Sequence, residues 1–256
     1  MRTRRFNAIL RVDEVYDPID AALLPLGFTR TGNVYHRQSE HDVFPGIEAV
    51  TFGFDYGFRT CWMHTTVKIP ALIELLAEVR PFAYAKALAW RVPDHASHVA
   101  CMLRLSEMAG TAHAPLPQGL RWRDDGRLQR VRRLPAATLG DTLAALVRQF
   151  ALPALRERLT LRRLAAAADA PGYGQSGIAG AWPLAARLAL GDLDGAARAF
   201  RAHPYALGSD RLRFAAAKAW LRGCGLVLDD VEWDAAAAEA ADPWDARPWL
   251  TGELVS

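Results

Sequence analysis

Asp17 to Gln38 reads DPIDAALLPLGFTRTGNVYHRQ, and it decides the fold class by placing a helix, a stop and a hairpin in one short run. Asp17 is suited to cap a helix, proline suits the first helical position, and Gly27 suits the left-handed residue that ends one. A helix is therefore predicted from Pro18 to Leu26. Phe28 to Thr31 and Val34 to Gln38 flank the pair Gly32-Asn33, which tolerates positive φ, so the two segments are predicted to pair as a β-hairpin.

Outward from this stretch, Glu48 to Asp55 alternates, with Val50, Phe52 and Phe54 against Ala49, Thr51, Gly53 and Asp55, as a half-buried strand does. Tyr56-Gly57 turns the chain. Arg59 to Ile69 alternates again, with Cys61, Met63, Val67 and Ile69 assigned to the core and Thr60, Trp62, His64, Thr66 and Lys68 to the opposite side. This is an antiparallel meander, whose apolar face needs a cover from the first helix and from Pro70 to Trp90, a helix broken near Pro81. His98 to Leu105 and Gly119 to Arg123 are further candidate strands. Helices follow from Thr138 to about Phe150 and from about Pro153, where Leu155, Leu159, Leu161 and Leu164 mark an apolar stripe.

Pro171 to Gly180, PGYGQSGIAG, is too rich in glycine for a helix and is taken as a linker. Beyond it lie Trp182 to Leu190, a break at Gly191-Asp192, Leu193 to Arg201, a stop at Pro204, and Asp210 to Arg222, which predict short antiparallel helices. The small-residue pattern from Ala185 to Phe200 is similar to tetratricopeptide-type helical hairpins, without a second copy at that spacing. The expected fold is α+β: an antiparallel β-meander packed with helices over residues 1–170, then an all-α extension with an acidic tail over 171–256.

Composition agrees with a folded domain. Of 256 residues 51% are hydrophobic and 23% charged, with a net charge of +3, which excludes a wholly disordered chain. Roughly 70% of the extended chain's surface could leave water at this size. Arg11 and Asp13 interrupt the amino-terminal apolar run, no stretch approaches 18 uninterrupted apolar residues, and the three cysteines form no CxxC pair. The expectation is a cytoplasmic protein without a membrane span. The tail from Asp229 carries eight acidic residues against Arg247, so it is placed against the basic body.

Chemistry-bearing patterns are few. Gly172, Gly174 and Gly177 match GxGxxG, but an Ala-rich helix precedes them where a strand is required, and Ser176 lies in GQSG rather than GxSxG. No cofactor is expected. His36, His41, Asp42 and His64 could converge on a divalent metal and support a metal-dependent hydrolase, although their spacing fixes no ligand set. His95 and His98 lack the glutamate of a zinc-protease motif. Cys61, Cys101 and Cys224 lie among apolar residues, where a thiol is inert. The basic run Arg121, Arg123, Arg127, Arg130, Arg132 and Arg133, with Trp122 interleaved, offers phosphate contacts and a stacking ring for nucleic acid, though Asp124 and Asp125 interrupt it.

The candidate binding surface is the polar face of the meander. Trp62, His64 and Thr66 project from one strand beside Thr51 and Asp55 of its neighbour, a composition favoured at protein interfaces. Two alternatives stand: the face is open to a partner, or a C-terminal helix roofs it.

Leu26-Gly27-Phe28, Arg30, Gly32-Asn33 and Tyr35-His36-Arg37 together resemble the bacterial domain-of-unknown-function family numbered 4304, over the first 165 residues. The resemblance carries no catalytic residue. Because such small α+β families stand beside bacterial toxins, it implies a binding role as an immunity protein. The sequence thus leads to a cytoplasmic protein-binding module, with another protein, a toxin in the specific form, as its partner.

Overall fold

The computed structural model describes residues 12–41, 44–55, 59–79, 101–105, 118–123, 127–131, 134–157, 160–166, 181–208 and 210–241, with the single positions 108 and 116. The fold is α+β.

Helix α1, Val12–Leu23, starts before Asp17 and carries Pro18 inside it, so Asp17 is not its cap. The reason lies upstream of the proline. Val15, Tyr16, Ile19, Ala22 and Leu23 are all buried at helical spacing, and this continuous apolar stripe outweighs the one hydrogen bond that Pro18 denies the carbonyl of Glu14. The end is as expected: Leu24–Leu26 tightens into a 3-10 turn, and Gly27 at φ 83° closes it with its N–H on the Leu24 carbonyl.

Strands β1, Thr29–Thr31, and β2, Val34–His41, form the expected hairpin in the register Thr29↔His36, Arg30↔Tyr35 and Thr31↔Val34, with Gly32 at φ 61° in the turn. There follow β3, Phe44–Phe54, β4, Thr60–Lys68, helix α2, Pro70–Val79, and β5, Cys101–Arg104. Next come β6, Leu120–Trp122, and β7, Leu128–Arg130. Among the described residues seven strands make one sheet in the order β1-β2-β3-β4-β7-β6, with β5 also paired to β4. Strand β3 is an inner strand, and Glu48 to Gly53 are buried on both of its faces rather than alternately. Pro81, Tyr56-Gly57 and the linker Pro171 to Gly180 lie outside the described residues.

Helix α3, Ala136–Leu146, begins after Pro135 and runs without a break into a π-helical turn, Val147–Ala151, and then α4, Leu152–Glu157. Pro153 has no N–H for the carbonyl of Gln149, and the widened turn answers this by sending the Leu152 N–H back to Val147. The other helices among the described residues are α5, Leu161–Ala166, α6, Ala181–Ala189, α7, Leu193–Ala202, α8, Arg211–Gly223, and α9, Ala235–Ala241.

The chain divides into two compact units. The first comprises Met1–Arg37, Ala49–Thr65 and Leu103–Arg156; the second comprises Gln38–Glu48, Thr66–Met102 and Glu157–Ser256. In the first unit α1 covers one sheet face through Tyr16, whose ring meets Phe54 edge-on at 6.1 Å and Tyr35 at 6.4 Å, while Tyr35 in turn meets Phe52 across the strands at 5.9 Å. Tyr35 donates its hydroxyl proton to Asp20, which also pairs with Arg30, so helix and hairpin are tied by a polar staple at the rim of the core. On its other side α1 packs on α3, where Gly140 admits the Val15 carbonyl; a Cβ there would stand 2.4 Å from that oxygen.

In the second unit α6 packs on α5, α7 and α2. Asp192 and Asp210 cap α7 and α8 by accepting from the N–H groups of Gly195 and Arg213, which places both helix starts where the sequence put them. The tail is anchored at its start. Asp230 accepts from Arg201 at 2.8 Å, Asp229 from Arg222 at 2.7 Å, and Asp234 caps α9. No helix among the described residues is long and apolar enough to cross a membrane.

Candidate functional site

Residues paired across a β-ladder project to the same face, so the pairings of the first unit assemble a surface that separate sequence segments conceal. The Asp55 N–H donates to the Thr60 carbonyl, Thr60 pairs with Gln129, and Gln129 pairs with Arg121. Alternation from this row puts Thr51 and Gly53 of β3, Trp62 and His64 of β4, and Arg127 and Arg123 beside β7 and β6 on one face. The last two are joined by a backbone hydrogen bond, Arg123 N–H to the Arg127 carbonyl, at 2.8 Å. The opposite face carries Phe52, Phe54, Cys61, Met63 and Leu128 and meets α1. The two surfaces weighed separately in the sequence, the polar face of the meander and the arginine run, are therefore one.

Its inner part is buried. Thr51 is 3% exposed and Thr66, farther along β4, is fully covered, while Trp62 and His64 are half-buried and Asp55 is exposed. These threonines sit on inner strands, where a layered domain covers both faces. Trp62 lies across β3 at Gly53; a Cβ at that position would fall 1.8 Å from the indole Cε2. The same indole stacks on the His64 imidazole, with ring centres 5.0 Å apart and planes 6° from parallel. Asp55 is occupied by the Thr60 N–H, which it accepts at 2.7 Å.

The outer part is basic and open. Arg121, Arg123 and Arg127 are exposed, and Arg121 grips Gln129 with two donors at 2.9 and 2.7 Å, a fork that fixes its guanidinium. Arg130 and Trp122 do not belong to this surface. They alternate to the core side, Trp122 opposite Leu128 and Arg130 with a donor on the Leu134 carbonyl at 3.1 Å. Sequence proximity alone had grouped Trp122 with its neighbouring arginines; strand alternation separates them. Arg132, Arg133, Asp124 and Asp125 lie outside the described residues.

His64 is held neutral. Burial, helped by the positive Arg104, lowers its pKa to about 4, and its Nε2, like Thr51 Oγ1, is buried without a hydrogen-bond partner among the described residues. An unfolded histidine takes its proton near pH 6.5, so between that value and about 4 the unfolded chain binds more protons than the folded one. Stability is thus expected to fall as pH drops through this window, and this contribution levels off below it. Urea midpoints across the window test the point: His64→Phe, which keeps a ring against Trp62, flattens the decline, and an unchanged decline would remove His64 as its source.

Cys61 is buried, and desolvation, with the charge of Asp55, pushes its thiol up to about 12, while Cys224 is half-buried and shifted upward in the same sense. Native protein treated with iodoacetamide near neutral pH is expected to label Cys224 and to leave Cys61 intact until unfolding. Peptide mapping with Cys61 alkylated first would contradict the placement.

Of the four metal candidates, His36 and His64 are the ones whose side chains are described. His36 bonds Thr31 on the hairpin at 3.1 Å, the half-buried His64 stacks on the indole, and Asp42 and the His41 side chain lie outside the described residues. Among the described residues no group of three or more His, Cys, Asp or Glu side chains could hold a metal ion. His95, His98, Ser176 and the glycines of GxGxxG also lie outside the described residues. Comparison with family models, with curated proteins and with solved structures found no match.

Proposed function

We propose that the chain is a cytoplasmic protein-binding module, an immunity protein that occludes a toxin being its specific form, and that it binds through the sheet face of the first unit. The observation that carries this is the union on one face of a half-exposed tryptophan and three exposed arginines. Tryptophan and arginine are the residue types that dominate interface energetics. Trp62 is rigid, since Gly53 and His64 hold its indole on two sides, so little side-chain freedom is lost when a partner covers it. The neutral His64 leaves no buried charge to desolvate.

The test places a photo-reactive residue at position 123 of the full chain in its native host. One discrete protein adduct that disappears in Arg127→Gln and in Trp62→Phe supports the proposal. Absence of any protein adduct, or adducts indifferent to both substitutions, overturns it. Circular dichroism of both variants checks that each is folded.

A further inference from the structure

In the second unit, side chains of α7, of the turn after it and of α8 converge on a stretch of the chain's own backbone. Beyond the buried Leu228, residues 229–234 form no helix or strand, and each of their side chains is exposed or half-buried. Arg201, in the last turn of α7, grips the Asp230 carboxylate with two donors at 2.8 and 3.1 Å, and this hydrogen bonding draws the carboxyl below its ordinary pKa. Lys218 of α8 donates to the Val231 carbonyl at 2.6 Å, and Arg222 pairs with Asp229 at 2.7 Å. The Tyr205 hydroxyl accepts from the Asp234 N–H at 3.0 Å and donates to the Asp234 carbonyl at 3.1 Å. An extended residue turns both of these groups to one side, where a neighbouring strand meets them as a pair, so the hydroxyl takes the place of a strand partner.

Two of these readers are positioned by the body of the unit. The buried Phe214 ring meets the Tyr205 ring at 5.7 Å and lies 5.9 Å from the Lys218 ammonium. The segment they hold is loosely kept. Both ion pairs are exposed, and such pairs contribute little each. Among the described residues Ala238 is the only buried side chain after Leu228, and α9, seven residues long, is too short to keep its helix once released.

We propose that Arg201, Tyr205 and Lys218 form a receptor for an extended acidic peptide of a partner protein, and that residues 229–234 fill it in cis until such a peptide displaces them. This site does not rest on the sheet face of the first unit. Tyr205 and Lys218 bond main-chain groups that any extended segment offers, while the Arg201 fork selects a carboxylate, the division between affinity and specificity usual in peptide recognition. A nucleic-acid backbone offers the arginine an anion but no N–H and carbonyl pair for Tyr205. The tethered segment competes at an effective concentration of about a millimolar, so a free peptide at micromolar concentration meets a filled site.

The experiment uses the full chain and a fluorescein-labelled peptide of residues 228–239, read by fluorescence anisotropy. The double variant Asp229→Ala, Asp230→Ala releases the arginines and keeps the receptor, and it is expected to bind the peptide about tenfold or more tighter than wild type. Adding Arg201→Gln or Tyr205→Phe is expected to remove that gain, and a peptide of the same composition in scrambled order is expected to bind more weakly. Equal affinity of wild type and double variant, or equal binding of the scrambled peptide, overturns the proposal. Hydrogen exchange on wild type needs no variant: the Val231 and Asp234 amides are expected to exchange well before those of α8, and exchange only together with α8 overturns it. A wild-type dimer that forms on concentration and is dispersed by the peptide would make a second copy the occupant and overturn the partner reading.

Discussion

Gly53→Val is expected to destabilise the first unit by about 2–3 kcal/mol, although valine is the better strand former. Two effects oppose each other. Strand propensity favours valine over glycine by about 1 kcal/mol, because glycine gives up more backbone freedom and has no side chain to pack. Against this, the first added carbon would stand 1.8 Å from the Trp62 Cε2 and 2.0 Å from Cζ2, far inside contact distance, and the two further methyls add to the collision. The indole cannot swing toward His64, which already stacks on it in parallel, and β3 is buried on both faces at this point, so its backbone has no free direction to yield. Steric displacement therefore wins over propensity. The double variant Gly53→Val with Trp62→Ala separates the two: with the indole gone, valine has room, and the pair should be more stable than Gly53→Val alone. Urea unfolding followed by circular dichroism reads the order. Gly53→Val as stable as wild type, with no recovery in the double variant, would show that Trp62 does not rest on this glycine.

The same contact shows what the chain discloses locally and what it withholds. Gly32-Asn33, Gly27, Asp192 and Asp210 announce their turns and caps, because each acts on backbone groups within a few residues of itself. The start of α1 was hidden by Pro18, whose local preference for a first turn is weaker than the apolar stripe running through it. The composition of the candidate surface was legible in part: Trp62, His64 and Asp55 were grouped by alternation along β3 and β4, but Arg121, Arg123 and Arg127 were assigned to a different role. Joining them needed the β4 to β7 pairing, Thr60 with Gln129, and nothing in the residues near Thr60 specifies a partner so far along the chain. Nor does alternation report depth. Thr51 and Thr66 follow the polar pattern of a solvated face and are buried, since a strand's place within the sheet decides exposure and that order is a property of the whole fold.

Arg187→Met is expected to weaken the second unit by about 3 kcal/mol, through two hydrogen bonds from a charged donor at about 1.5 kcal/mol or more each. Arg187 on α6 is 4% exposed; its Nε donates to the Ala165 carbonyl at 2.7 Å and its Nη1 to the Gly195 carbonyl at 2.9 Å. The first of these lies in the last turn of α5, where carbonyls have no donor within the helix, so one guanidinium caps α5 while holding the first turn of α7. Replacing a buried charge by an apolar side chain is often neutral, because desolvation of the ion is avoided. Here the acceptors are backbone carbonyls that the substitution cannot remove, so the Ala165 oxygen is left buried without the donor that Arg187 supplied. Methionine recovers the packing of the arginine stem and nothing at its head. Arg187→Lys should fall between the two, since an ammonium is a single point and cannot span both carbonyls as a planar fork does. The neighbourhood leaves no room for repair by a larger residue nearby: a Cβ at Gly195 would stand 1.9 Å from Asp192 Oδ2 and 2.8 Å from Arg187 Nη1. Thermal and urea unfolding should rank wild type above Arg187→Lys and Arg187→Met last. If Arg187→Met proves as stable as wild type, the guanidinium is not what joins α5, α6 and α7.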